Sequence, residues 1–344
     1  MKIVADRNIP YIADAVRSLG ELILLPGDAI TADIVRDADI LLTRTRTRCD
    51  ASLLDGSKCS FIGTATIDLD YCRSRGITVA NAPGCNAPAV AQYVLSAIRT
   101  FLPAGEPLAG KTLGIIGAGN VGCILNRWAL GLGMKTIIND PPREESGDGV
   151  YDYRTLAELA AGSDFISIHT PYTKEGAHPT FHLIDRDFLS MTRRQPLIIN
   201  AARGAVADTA ALKAALHDGT IAGAAIDCWE NEPDIDLELL SEAVVATPHI
   251  AGYSAEGKIR ATRMVLEALA AHLHDKFGLE ITAEELTAGL PAVNPIPETV
   301  SEAMLGYDID ADHILRNLST PGATVSAEFE SLRNNYRLRP EPHC

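Results

Sequence analysis

The feature that most constrains this chain is the stretch Leu113-Gly114-Ile115-Ile116-Gly117-Ala118-Gly119-Asn120-Val121-Gly122. A short apolar run ends in Gly-x-Gly-x-x-Gly, and a segment of helical character, Cys123 to Leu132, follows it. In a strand–turn–helix unit the three glycines have separate duties. Gly117 permits the tight turn, Gly119 lets the backbone approach a pyrophosphate, and Gly122 lets the helix pack closely on the strand. The helix that opens at Asn120 and Val121 adds free N–H groups and the positive end of its dipole. With 27 glycines in the chain a chance match is easy, so context decides. Lys135 to Asp140 reads as the next strand, and Asp140 falls about 20 residues past the glycines, where an acid binds a ribose diol. A carboxylate there repels a 2′-phosphate, which favours NAD over NADP.

A chain of 344 residues is long enough for two or three domains, each with its own core. The net charge of −15 argues against nucleic acid or an anionic membrane as a general partner, and it means that any anionic ligand needs a local basic cluster. Seven cysteines at scattered spacings form neither a disulfide framework nor a zinc pattern. No metal is expected, and reduced thiols in the cytoplasm are the economical reading. Lys2-Ile3-Val4-Ala5-Asp6 resembles a first strand rather than a signal segment, and no apolar run approaches the roughly 20 residues that span a bilayer.

Strand candidates Lys2–Ala5, Ile40–Thr43, Ser60–Gly63 and Ile77–Ala80 alternate with helical patterns such as Ile9–Leu19 over the first 80 residues. That rhythm predicts a parallel sheet flanked by helices, with ligands beyond the carboxyl ends of the strands. One such end reads Thr43-Arg44-Thr45-Arg46-Thr47-Arg48, a basic cluster suited to a phosphate or carboxylate. Arg44 lies nearest the strand end and is the preferred contact. After the glycine motif, Phe165–Thr170, Leu197–Ala201, Gly223–Trp229 and Val244–Thr247 continue the alternation and predict a doubly wound dinucleotide domain. Ser254 opens a long helical pattern that runs to about Phe277. A proline-rich connector, Leu290 to Pro297, then leads to a C-terminal part too small for an independent core, which is expected to pack against another subunit.

Three residues after the glycine motif carry the chemistry: Arg203, Glu232 and His249. Oxidising a 2-hydroxy acid needs a base for the hydroxyl proton, a cation for the carboxylate and a nicotinamide for the hydride. Histidine is the residue type whose intrinsic pKa suits such a base, which points to His249; Glu232 would orient it, and Arg203 would pair with the carboxylate and polarise the developing carbonyl. His169, His178 and His182 compete for the base role; His169-Thr170-Pro171 fits a cofactor-lining segment better, and the other two sit in a loop-like region.

Asn200-Ala201-Ala202-Arg203-Gly204, Asp227-Cys228-Trp229-Glu230-Asn231-Glu232-Pro233 and Thr247-Pro248-His249-Ile250-Ala251-Gly252, together with the glycine motif, resemble the signatures of the D-isomer-specific 2-hydroxyacid dehydrogenase family. The resemblance implies that Arg203, Glu232 and His249 are catalytic. It implies an α/β fold of two doubly wound parallel-sheet domains, a flavodoxin-like substrate domain and an inserted Rossmann NAD domain. The corresponding boundaries are 1–89 with 252–284 for substrate, 90–251 for NAD, and 285–344 for a small C-terminal dimerisation region. Phe61 to Thr66, Ala82 to Ala87, Asp140 to Arg143, His249 to Tyr253 and Phe329 to Tyr336 resemble one branch of the family. In that branch NAD oxidises a phosphorylated hydroxy acid at C2 within a homodimer. By matched position, Thr45, Thr66 and Tyr253 would contact substrate. Asp140, Thr170, Ala201, Ala202, Arg203, Asp227 and Gly252 would contact NAD. The chain departs from the pattern at Ile67-Asp68-Leu69-Asp70-Tyr71 and stops soon after Tyr336. The alternatives are a dehydrogenase of another 2-hydroxy acid, such as phosphoglycerate, and a non-catalytic NAD-sensing protein.

Overall fold

Among the described residues eleven short apolar segments form strands, and every pairing between these strands is parallel. The computed structural model describes residues 1–44, 47–63, 67–305, 307–318 and 324–343. Two compact units divide the chain: Met1–Asn86 with Ala255–Asn294, and Ala87–Ser254 with Pro295–Cys344.

The first unit holds β1 (Lys2–Asp6), β2 (Glu21–Leu25), β3 (Ile40–Leu42), β4 (Phe61–Gly63) and β5 (Thr78–Ala80), in the order β2-β1-β3-β4-β5. This is the flavodoxin-like arrangement, whose order reverses between β1 and β3. Side chains alternate across the sheet, as strand geometry requires. Ile3, Ala5, Ile40, Leu42 and Phe61 face one core, which the helix Ala255–Phe277 completes with Leu266, Leu269 and Leu273. Val4, Leu41 and Ile62 face the other. β2 is absent from the strand candidates of the sequence. It is an edge strand with no fully buried residue, so its pattern lacks the contrast that marks a buried run.

The second unit holds β6 (Thr112–Ile116), β7 (Lys135–Asn139), β8 (Phe165–Ile168), β9 (Leu197–Asn200), β10 (Gly223–Ile226) and β11 (Val245–Ala246). Their order is β11-β10-β9-β8-β6-β7. A lone parallel bridge between Ile138 and Tyr153, beside β7, stands where a Rossmann sheet has its third strand. β6, β8, β9 and β10 are buried at every residue, as expected of parallel strands covered on both faces. Ile115, Phe165, Ile199 and Ala225 pack with the helices Ala87–Phe101 and Asn120–Gly131. Ile116, Ile166, Ile198 and Ile226 pack on the opposite side.

The C-terminal residues have no core of their own. Val300, Leu305 and Ile309 join one core of the second unit, while Leu315 and Phe329 join the other. The indole of Trp128 donates to the Pro297 carbonyl at 2.8 Å. Residues up to Asn294 cluster with the first unit and Pro295 onward with the second.

Candidate active site

Because all strands of the second sheet are parallel, the loops after β6, β8, β9, β10 and β11 leave the same edge. The glycine loop follows β6. Gly117 has φ of +96°, and a Cβ on it would lie 2.8 Å from the His169 carbonyl oxygen. A Cβ on Gly122 would lie 2.1 Å from the Gly117 carbonyl oxygen, so only glycine lets the helix Asn120–Gly131 start this close to the turn. Gly119 faces open space, with nothing within 4 Å of a Cβ placed there. A cradle with an open middle and a helix N-terminus behind it fits a pyrophosphate.

Asp140 ends the segment after β7. Its Oδ2 accepts the Ala118 N–H at 2.8 Å and its Oδ1 accepts the Arg143 N–H at 3.2 Å. The carboxylate thus caps the helix Pro141–Ser146 while it is tied to the glycine loop, the placement that ribose recognition needs. After β8, Thr170 has a buried Oγ1 with no hydrogen-bond partner. An orphaned buried hydroxyl calls for an external partner, so this loop fits a dinucleotide. His169 accepts or shares a proton with Ser167 Oγ at 2.9 Å, and burial lowers its pKa, so its ring is neutral at pH 7. A neutral ring with an internal partner makes it a poor competitor for the base role.

The loop after β9 carries Arg203. Asn200 folds it: its side-chain amide donates to the Arg203 carbonyl at 3.0 Å and its Oδ1 accepts the Ala202 N–H at 3.2 Å. A Cβ on Gly204 would lie 1.9 Å from the Trp229 carbonyl oxygen, so glycine brings this loop against the one after β10. Arg203 is exposed, and its Nη1 donates to the Ala202 carbonyl at 2.6 Å. No carboxylate forms an ion pair with it among the described residues. A guanidinium that is exposed and unpaired suits an anionic ligand.

Glu232 and His249 come together as the sequence predicts. His249 Nδ1 lies 2.5 Å from Glu232 Oε1, and Glu232 Oε2 accepts the Trp229 N–H at 3.1 Å. Burial alone would raise the Glu232 pKa. The His249 hydrogen bond and charge, the Trp229 N–H and the nearby Arg333 charge outweigh it and hold the carboxylate below its ordinary 4.5. Glu230, two residues earlier, is occupied elsewhere: its Oε1 lies 2.6 Å from His182 Nε2. With Nδ1 committed to Glu232, His249 keeps Nε2 for a substrate proton. Cys228 is no nucleophile, because burial pushes its thiol well above the usual range.

Asp227 is 1% exposed and works as an organiser of the loop after β11. Its oxygens accept the Thr247 hydroxyl at 2.7 Å and the Ile250 and Ala251 N–H groups at 2.7 and 3.0 Å. Any contact with a cofactor must use its remaining lone pairs. Gly252 and Tyr253 complete the turn, where the Tyr253 N–H donates to the Ile250 carbonyl at 2.8 Å. In the first unit, Arg44 Nε donates to the fully buried Asp6 carboxylate at 2.9 Å, while 36% of its side chain stays exposed. Thr45 and Thr66 lie outside the described residues. Nothing in the sequence singles out Arg333, whose charge acts on Glu232 and whose side chain hydrogen-bonds Tyr253. Its signal is only that an arginine sits in a tail already marked by its likeness to one branch.

Residues 95–251 match the family described as D-isomer specific 2-hydroxyacid dehydrogenase, NAD binding domain. The erythronate-4-phosphate dehydrogenase of Bacteroides fragilis is 44% identical over 348 aligned positions, covering 99% of this chain and 97% of its own length. The enzyme of the same name from Azotobacter vinelandii is 46% identical over 274 positions, covering 78% of this chain and 72% of its own. Among solved structures, D-lactate dehydrogenase from Aquifex aeolicus, complexed with NAD and lactic acid, superposes with a TM-score of 0.65. It is 26% identical, and the match covers 86% of this chain and 100% of that one.

Proposed function

Because this chain belongs to the erythronate-4-phosphate dehydrogenases, within the D-isomer specific 2-hydroxyacid dehydrogenase family, we propose that it oxidises 4-phospho-D-erythronate to 2-oxo-3-hydroxy-4-phosphobutanoate, with NAD as acceptor, in pyridoxal 5′-phosphate (vitamin B6) biosynthesis. The observation that carries the reading is the His249–Glu232 pair, 2.5 Å apart, on one sheet edge with the unpaired guanidinium of Arg203.

The chemistry follows from what these groups can do. His249 Nε2 takes the proton from the C2 hydroxyl, and the imidazolium so formed is stabilised by Glu232 through Nδ1. Arg203 pairs with the substrate carboxylate and draws electron density from the oxygen that becomes the carbonyl. The glycine loop, Asp140 and Thr170 would hold NAD, which when bound would supply the acceptor for the C2 hydride. The O–H bond of the C2 hydroxyl gives its proton to His249 and the C2–H bond would give its hydride to the bound acceptor, so that C=O replaces C–O. Thr45, Thr66 and Tyr253 are proposed as substrate contacts by matched position, and Arg44 by its place at the strand end; Ala201, Ala202, Asp227 and Gly252 are proposed by matched position for NAD. A homodimer in the cytoplasm is the expected working form.

The test is NADH formation with 4-phospho-D-erythronate, 3-phosphoglycerate, D-glycerate and D-lactate, with a 2-oxo acid present to recycle NADH. Preference for phosphoerythronate is expected. Turnover of phosphoglycerate alone would keep the chemistry and overturn the substrate; silence across the panel with NAD bound would overturn the activity.

A further inference from the structure

His249 sits at φ of 57°, in the left-handed region that a non-glycine residue occupies only when its surroundings hold it there. The four residues that follow are gripped from two directions. Asp227 takes the N–H groups of Ile250 and Ala251. The carbonyls of the same stretch go to Arg339, a residue of the C-terminal tail that is 6% exposed. Its Nη1 donates to the Ile250 carbonyl at 3.0 Å and the Tyr253 carbonyl at 3.2 Å. Its Nη2 donates to the Ala251 carbonyl, and to the Ala89 carbonyl at 2.9 Å. Nε reaches Gln92 Oε1 at 3.3 Å, and the guanidinium lies 4.4 Å over the Tyr307 ring. Ser254 pairs with Arg339 in a parallel bridge, and its hydroxyl donates to Glu341 at 2.6 Å, which aligns the tail with the turn.

An anion therefore reads the N–H groups of the turn and a cation reads its C=O groups. Among the described residues Arg339 forms no ion pair, so its whole donor fork goes to backbone, side-chain amide and hydroxyl oxygens. The planar guanidinium, with five donors in a fixed fork, keeps donors for Ala89 and Gln92 while reaching three carbonyls of one turn. A buried arginine used merely to fasten the tail would need none of them to lie beside His249.

We propose that Arg339 is a positioning residue for the reaction: it fixes the turn His249–Tyr253 and so the direction of the imidazole. The proposal rests on the reading of His249 as the base. It also gives the C-terminal tail a part in catalysis within its own chain, separate from any role in dimerisation.

The experiment uses full-length Arg339→Met, with NAD-binding stoichiometry measured by fluorescence titration and kcat expressed per NAD-binding site. The expected result is a stoichiometry near that of the unmodified protein and a kcat per site lowered roughly 10- to 100-fold, or about 1.4–2.7 kcal/mol. Arg339→Ala is expected to regain activity when millimolar ethylguanidinium is added, since the cation can refill the vacated space. A fastening role alone would lower the number of competent sites and leave kcat per site unchanged, with no rescue; that result overturns the proposal. Should Arg339→Met fail to fold, Arg339→Lys, which keeps the charge over Tyr307, is judged by the same ratio. His249→Ala is measured alongside. If it stays active the base assignment fails, whereas an inactive His249→Ala beside a fully active Arg339→Met refutes the role of Arg339 alone.

Discussion

Replacing Glu232 by glutamine removes one charge and almost no volume. In the native site Oε1 faces His249 Nδ1 at 2.5 Å and Oε2 accepts the Trp229 N–H at 3.1 Å. When His249 takes up the substrate proton, the new positive charge lies about 4 Å from the carboxylate centre. At an effective dielectric near 20 that attraction is worth about 4 kcal/mol before the cost of screening by water at the half-buried pair. A glutamine has a single acceptor oxygen for two donors, so either the imidazole or the Trp229 N–H loses its partner. An unmet donor in this setting costs about 1–3 kcal/mol, part of it felt in both ground and transition states. The net loss specific to the transition state is then about 2–4 kcal/mol, a fall in kcat of roughly 30- to 1000-fold. NAD affinity is expected to change little, because Glu232 belongs to a different loop from the glycine cradle. The assay is steady-state NADH formation with saturating 4-phospho-D-erythronate, beside a fluorescence titration of NAD. A kcat within threefold of the unmodified protein would refute the claim that Glu232 stabilises the imidazolium.

Other perturbations read separate parts of the structure. Asp140→Ala removes the carboxylate that would repel a 2′-phosphate, and the ratio of kcat/KM for NADP over NAD is expected to rise at least about tenfold; an unchanged ratio would remove Asp140 from ribose recognition. Gly204→Ala puts a Cβ 1.9 Å from the Trp229 carbonyl oxygen, and urea melts are expected to show a loss of about 1–3 kcal/mol, with activity lowered because Arg203 precedes it. Stability is expected to fall in acid. Glu230, Glu232 and Asp236 all titrate below their ordinary values in the folded protein, so their contribution is complete above about 4.5 and is lost as pH falls through the lower folded values. Asp227, raised by burial, runs in the opposite sense, and one group against three leaves acid as the destabilising direction. Thermal melts at pH 6, 5, 4 and 3 check this; a flat Tm would contradict it.

What was legible in the sequence was whatever depends on neighbours close along the chain. The glycine loop, the helix after it and Asp140 lie within one strand–helix–strand unit, where Gly122 is required by its close approach to the Gly117 carbonyl oxygen. Arg203, Glu232 and His249 are farther apart, yet each follows a fully buried or nearly buried strand, and parallel topology alone puts them on one edge. Nothing local along the chain separates Glu230 from Glu232; in the structure they are separated by His182, which takes Glu230. Edge strand β2 escaped because partial exposure blurs its pattern. Arg339 escaped for a different reason. Its partners Ala89, Gln92, Ile250 and Tyr253 lie between 86 and 250 positions away, and nothing local distinguishes it from a surface arginine. In the tail, Phe329 and Leu315 join a core of the second unit.

The most direct test of the account follows the transferred hydrogen. 4-Phospho-D-erythronate carrying deuterium at C2 is turned over with NAD, and the reduced cofactor is analysed by mass spectrometry. One deuterium is expected in each reduced cofactor from the unmodified protein, and no labelled cofactor from His249→Ala at neutral pH. Unlabelled reduced cofactor, or no reduction by the unmodified protein with NAD and substrate both bound, would contradict it.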